Sequence, residues 1–352
     1  MTPETRSRAP ERGERRASGD LHVRRATPQD EPALLELLRA SMGEEAVAWS
    51  SAYWRWKHDA NPFGPSPVLV AEDAGRLVGL RAFMRWAWRS GGAVAPALRA
   101  VDTATHPDYR GRGLFTRLTL QPRTEVEAEG AAFVFNTPNA QSRPGYLKMG
   151  WTLVGRPTLW MRVVRPARFA RAFRGGEEGE APPVEAPPAA EVLRRAGVGA
   201  LVAVATGGTT ARLHTPLSLE YLRWRYADVP GFAYHALSRG EGAGGALVVL
   251  RARRRGALRE LRLCDVVVGP TPEAVRNARL LLREAPRLAD VDVVLAMAGE
   301  GLLRRALPAA GFVPAPRTGP ILTVYPLSAA AGLPDPRRLA SWQPSIGALE
   351  LF

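Results

Sequence analysis

The chain has 352 residues, enough for two domains of ordinary size, and 46% hydrophobic with 23% charged residues is the composition of a globular protein. No run of about eighteen apolar residues occurs, which excludes a helical membrane span, and the single cysteine, Cys264, excludes a disulfide within one chain and any zinc-ligand spacing. The net charge of +14 would point to nucleic acid. However, only Lys57 and Lys148 are lysines, and the arginines are spread along the chain, a skew that fits the codon bias of a GC-rich genome better than a binding face. The five histidines, His22, His58, His106, His214 and His235, are scattered, so no metal site is expected. With no secretory signal in view, the expected location is the cytoplasm.

Residues 1–20 are polar, Arg-rich and without an apolar core, and read as a disordered extension. A first strand follows at 21–26. The stretch TPQDEPALLELLRASM then has the marks of a capped helix, with Thr27 at the N-cap, Pro28 at the first position, and Asp30 and Glu31 in the first turn. WSSAYWRWKHDANPFG reads as a short aromatic helix closed by Asn61–Pro62. Two apolar runs flank a hairpin turn at Asp73–Ala74–Gly75. The next strand ends at Thr105, before Pro107, and HPDYRGRGLFTRL leads into a helix reaching about Gly130. A buried strand AAFVFN, a helix within QSRPGYLKMG and a further strand from Trp151 complete this unit. Residues 165–188 turn acidic and rich in Pro and Gly, and read as a linker.

Beyond the linker the pattern recurs. YLRWRYADVP at 221–230 repeats YWRWKHDANP at 53–62, and LRLCDVVVGP at 261–270 repeats LRAVDTATHP at 98–107. VVLA before a helix ending in AGF echoes FVFN before a helix ending in MGW. Order and spacing are kept, so two similar domains in tandem are expected, at 21–164 and 189–326, with a tail from 327.

Arg110–Gly111–Arg112–Gly113 at the start of a helix has two readings. Glycines let backbone approach a ligand, and the free amides of a helix start attract an anion; alternatively, the stretch is a surface turn with solvated arginines. Here the sequence resembles the GNAT acetyltransferase superfamily, whose pyrophosphate loop runs Arg or Gln, two residues, Gly, one residue, Gly or Ala. Arg110 and Gly113 match, and Phe115 departs from the last position. The second motif of that family is an Asn, an Ala three residues on, a Tyr seven on, and then Gly-Phe. It is matched by Asn139, Ser142 in place of Ala, Tyr146, and Gly150–Trp151. The tandem arrangement also resembles the enhanced-survival type of mycobacterial acetyltransferases.

The resemblance implies an α/β (α+β) fold of two GNAT-like domains, each a mixed, mostly antiparallel sheet flanked by helices. It implies acetyl-CoA as acyl donor in the gap beside the strand ending at Thr105. Backbone of Thr103, Ala104 and Thr105 would meet the pantetheine. The amides of Arg110, Gly111, Arg112, Gly113, Leu114, Phe115 and Thr116 would meet the pyrophosphate, with Asn139 and Ser142 at the neighbouring helix. Tyr146 would protonate the departing thiolate, or is a core tyrosine. Asn139 would bond the pantetheine, or is an ordinary cap.

Asp102 is the best-placed carboxylate for a base, yet Asp265 stands at the matching place of the second copy, so a structural role for both competes. Glu44, Glu45 and Asp59 either line the acceptor site or solvate a surface. The second copy has no Arg-x-x-Gly loop, Leu307 in place of Tyr146, and Glu300 in place of Asn139. Its expected job is to complete the sheet, wall the cleft, or pair two chains as a homodimer. The reading is an N-acetyltransferase for a small-molecule or peptide amine. A non-catalytic acyl-CoA binder and a basic nucleic-acid binder are the alternatives.

Overall fold

The computed structural model describes residues 21–42, 49–175, 179–205, 210–327 and 332–350. The N-terminal extension, Glu44 and Glu45 lie outside the described residues. The strands in chain order are β1 (His22–Arg25), β2 (Val68–Asp73), β3 (Arg76–Ser90), β4 (Ala93–Thr105), β5 (Phe133–Asn136), β6 (Thr152–Gly155) and β7 (Leu159–Val163). They continue with β8 (His235–Arg239), β9 (Ala246–Arg255), β10 (Leu258–Val268), β11 (Val293–Met297), β12 (Val313–Ala315) and β13 (Leu322–Pro326). They form two mixed sheets, one of seven strands in the order β1-β2-β3-β4-β5-β13-β6 and one of six in the order β12-β7-β11-β10-β9-β8. Both contain one parallel pair, β4–β5 and β10–β11, and are otherwise antiparallel.

The sheets exchange strands. β13, from the C-terminal half, lies between β5 and β6 in the first sheet, and β7, from the N-terminal half, lies between β11 and β12 in the second. Each sheet therefore needs the other half of the chain to complete its hydrogen-bonded ladder. The segment expected to link two domains carries a helix at Pro166–Ala172, and Pro187 accepts from the Ala236 amide at the edge of the second sheet.

Helices lie in three layers. α1 (Glu31–Met42), α2 (Ser51–His58), α7 (Ala189–Val192), α8 (Ala196–Ala205), α9 (Leu219–Tyr226) and α12 (Ile346–Leu349) fill the space between the sheets. α3 (Leu114–Leu120), α4 (Arg123–Ala128) and α5 (Arg143–Lys148) cover the outer face of the first sheet. α10 (Pro272–Glu284) and α11 (Leu302–Ala309) cover that of the second, and α6 (Pro166–Ala172) follows β7. The expected cap before α1 is present as a box, in which the Asp30 carboxylate accepts from the Thr27 amide at 2.7 Å.

The repeat is legible in three dimensions. Ser50 and Ser218 cap α2 and α9, each accepting from the amide three residues on. Trp56 and Trp224 stack at 5.0 Å, and each indole N–H donates to the other's backbone carbonyl, at 2.7 and 2.8 Å. Such reciprocal contacts are those of a two-fold axis, here relating two halves of one chain. The strand registers agree as well: Ala97, Leu98 and Arg99 face Phe133 to Phe135, as Glu260, Leu261 and Arg262 face Val293 to Leu295.

Candidate active site

β4 and β5 pair over only three residues. Beyond Arg99 no described strand pairs with β4 on that edge, because β5 ends at Asn136 and β4 itself bulges. Arg81 faces Thr103 and Ala82 faces Val101, so Asp102 is the extra residue, held at φ 42°. A left-handed aspartate is an uncommon conformation, and it turns the carboxylate out of the ladder toward α2. The parted strands open a cavity of about 700 Å³, walled by β4 from Arg99 to Thr103, by residues 136–146 and by Phe115.

Tyr146 stands on this wall from α5, 3% exposed. Its hydroxyl oxygen accepts from Arg81 Nη2 at 2.7 Å, and Arg81 also donates to Thr103 Oγ1. A guanidinium has no acceptor, so the phenol's own proton must go elsewhere. Among the described residues nothing accepts it, and the cavity is what lies beside it. Arg81 is 1% exposed and centred over the rings of Phe83, Phe115 and Tyr146 at 5.3, 5.7 and 5.4 Å, which holds it in place. Phe115, where a small residue was expected, lies edge-to-face on Tyr146 at 5.3 Å. Gly145 makes the room: a side chain there would start 3.0 Å from the Phe115 ring.

The Arg-Gly stretch is a loop at the cavity's mouth. Gly111 and Gly113 take φ of 76° and 75°, a region open to glycine at no cost. Among the described residues none accepts from the backbone amides of Gly111 to Thr116. Arg110 and Arg112 are exposed, and Arg112 lies over the Tyr109 ring at 4.6 Å. Thr103, Ala104 and Thr105 form the rim of β4, where the Thr105 carbonyl accepts from Ser41 Oγ at 3.2 Å. The Asn139 side chain accepts from the amides of Gln141 and Ser142 and from Ser142 Oγ, which closes the turn leading to Ser142, the N-cap of α5.

Asp102 is buried and bonded to Lys57 Nζ and His58 Nε2, both at 2.8 Å. Burial alone would raise its pKa. The Lys57 ammonium and the His58 hydrogen bond outweigh burial and hold the carboxyl well below the usual range. His58 is pushed the other way: burial keeps its ring neutral at values below the ordinary one, and its Nδ1 has no partner. Asp59, at the end of α2, is exposed and is absent from the cavity wall.

Several side chains here carry no motif. Lys57, Arg81 and Arg99 line the cavity and His58 acts on it through Asp102, and their signals are slight. Lys57 is one of two lysines, Arg81 interrupts an apolar strand, and Arg99 recurs as Arg262 in the repeat. The C-terminal segment also arrives, since Arg99 donates to the carbonyls of Ala348, at 2.7 Å, and Leu349.

Residues 22–154 match the family described as Acetyltransferase (GNAT) domain. No curated protein matches the chain. Among solved structures, a GCN5-related N-acetyltransferase from Anabaena variabilis aligns with TM-score 0.61 at 14% identity, over 88% of this chain and 73% of its own. One from Kribbella flavida aligns at 0.57 and 17%, over 89% and 72%, and Eis1 from Mycobacterium abscessus at 0.53 and 15%, over 88% and 74%. At such identities the likeness is one of fold. Among the described residues no helix is long and apolar enough to cross a membrane, and no three His, Cys, Asp or Glu converge as a metal would need. The family match and the two mixed sheets together identify residues 22–154 as a GNAT acetyltransferase domain, set in a chain of two GNAT-like sheets.

Proposed function

We propose that the protein is an acetyl-CoA-dependent N-acetyltransferase acting on a primary amine by direct attack within a ternary complex. The observation that carries this reading is the Tyr146 hydroxyl. It is buried and fixed through its oxygen by Arg81, and among the described residues its proton has no acceptor, which leaves what enters the cavity. The site also suits the donor: six unbonded amides at the mouth, an unpaired strand edge leading inward, and space between parted strands. Acetyl-CoA supplies an activated thioester carbonyl.

The chain's own parts then have separate tasks. The loop amides from Gly111 to Thr116, with Arg110 and Arg112 at the rim, hold the pyrophosphate, and Asn139 and Ser142 keep α5 oriented. The free edge at Thr103–Thr105 aligns the pantetheine and offers an N–H to the carbonyl oxygen on which charge develops. Tyr146 gives its Oη proton to the leaving sulfur. Asp102 lies close by, but Lys57 and His58 occupy its oxygens and keep its proton affinity low. We therefore assign it to fixing α2 against β4, and the amine sheds its proton to another group or to water.

The test is release of free CoA thiol from acetyl-CoA over a panel of primary amines, with mass detection of the acetylated product. Amine-dependent release that Tyr146→Phe suppresses supports the reading. Tight acetyl-CoA binding with no release for any amine leaves a non-catalytic acyl-CoA binder.

A further inference from the structure

Arg99 sits at the inner end of the cavity, in the half of β4 that still pairs with β5, roughly 10–13 Å along the strand from Thr103. With the pantetheine aligned at Thr103–Thr105 as proposed above, that is past the thioester and on the side left for the acceptor. The residue is 3% exposed. Its guanidinium donates to the carbonyls of Ala348 and Leu349 and, at 3.1 Å, to Thr137 Oγ1, all neutral groups, while its Nε is buried with no partner. Among the described residues no carboxylate lies within ion-pair distance. Burial, with Arg225 nearby, outweighs the attraction of Tyr221 and Asp102 and brings its pKa down to about 9, so it is still a cation at neutral pH. A buried charge without a counter-charge is costly, and proteins rarely keep one.

The other half of the molecule supplies the control. Arg262 holds the same register position in the second sheet, and it has two carboxylates: Glu260, at 2.6 Å, and Glu350. By register the counterpart of Glu260 is Ala97, a methyl group. The same arginine is thus neutralised in the second sheet, where the cavity beside Leu263–Val266 holds about 150 Å³, and left without a carboxylate on the wall of the first sheet's cavity of about 700 Å³. Of the other cations on the wall, Lys57 is taken by Asp102; Arg81 also has no carboxylate within ion-pair distance among the described residues, but it lies over three aromatic rings and is committed to Tyr146 and Thr103.

We infer that the acceptor brings the missing carboxylate: the substrate is an amine that also carries an acid group, an amino acid or a close relative, bound through its carboxylate to Arg99. This rests on the transferase reading above and narrows it.

The test compares each of a set of amino acids with its own α-amide, using the full chain and saturating acetyl-CoA. A charge-assisted bond to a buried guanidinium leads us to expect kcat/KM about 10–100-fold higher for the acid than for the amide. In Arg99→Met that ratio should fall to about one, while Arg99→Lys should keep part of it. Near-UV circular dichroism and acetyl-CoA affinity check that the variants are folded, and the acid-to-amide ratio of the unaltered enzyme stands if they are not. Equal rates for acids and amides, or a preference that survives Arg99→Met, overturn the inference and leave the transferase reading in place. If no amine of either kind releases thiol, the transferase reading fails. Calorimetric titration with N-acetyl amino acids and their amides, in the presence of CoA, then decides the carboxylate site: acid-selective binding upholds it and its absence overturns it.

Discussion

In the first sheet the cavity-lining strand carries Arg99, bulges at Asp102 and runs out into the Arg-Gly loop. Its counterpart in the second sheet carries Arg262, bulges one residue earlier at Cys264 and runs out through Gly269–Pro270 with no such loop. Asp102 is drawn to an ammonium and an imidazole, whereas Asp265 is bonded by the hydroxyls of Tyr226 and Ser345. Burial raises the pKa of Asp265, where Lys57 and His58 lower that of Asp102. The chain's own tail packs beside Asp265 of β10, where Gln343, Pro344 and Ser345 line a cavity of about 150 Å³. A side chain at Gly347 would begin 1.8 Å from the Tyr226 hydroxyl, so glycine is what lets the tail pass. One copy of a duplicated frame thus keeps an open slot with unmet donors, and the other has met its donors internally. Unmet polarity inside a folded protein marks where a ligand belongs.

Breaking the first copy should show the largest effect. Tyr146→Phe keeps the ring against Phe115 and Trp151 but removes the proton, and kcat should drop by about 10²–10⁴-fold with acetyl-CoA affinity little changed. A well-folded variant with normal turnover would return Tyr146 to the core. Gly113→Asp puts a side chain at φ 75° and a negative charge at the loop, so acetyl-CoA affinity by calorimetry should weaken at least about tenfold. Unchanged affinity would make the loop a surface turn. The same titration should count one CoA per chain, since the second copy has no Arg-x-x-Gly loop after Asp265; two equivalent sites would remove the asymmetry altogether.

The matched change in the second copy should leave catalysis alone. Leu307 stands where Tyr146 does and is fully buried under β10 and β11. Leu307→Ala should cost about 2–5 kcal/mol of stability, read by denaturant unfolding, while kcat stays within about twofold. A large fall in kcat in the folded variant would mean that the second half shapes the site.

The smallest expected effect is acid sensitivity. Folding depresses the pKa of His58, so its contribution to stability is complete above the unfolded value of about 6.5 and is lost as pH falls through it. Melting temperature should therefore decline between about pH 7 and 5, and less so in His58→Gln, which retains a donor toward Asp102. Parallel curves would show that His58 is already charged in the folded protein.

Much of this was open to the sequence because it depends on near neighbours. The hairpin at Ala74–Gly75, the Ser caps before α2 and α9, the glycine loop and the spacing from Asn139 to Tyr146 are set by residues a few positions apart. The likeness of the two sheets, too, could be seen from segment order alone. Partner choice was decided in the tertiary structure. The pattern of β7 or β13 specifies a strand but not which edge it joins, and in the fold each lies in the sheet of the other half. Arg81 meets Tyr146 across 65 residues and Arg99 meets Leu349 across 250. Contacts over such separations follow from packing two whole sheets face to face, and no local periodicity encodes them. What the sequence determined by itself was the set of pieces and the loop chemistry. Only the folded chain decided that Arg262 meets carboxylates and Arg99 does not, because that depends on which groups burial brings within reach.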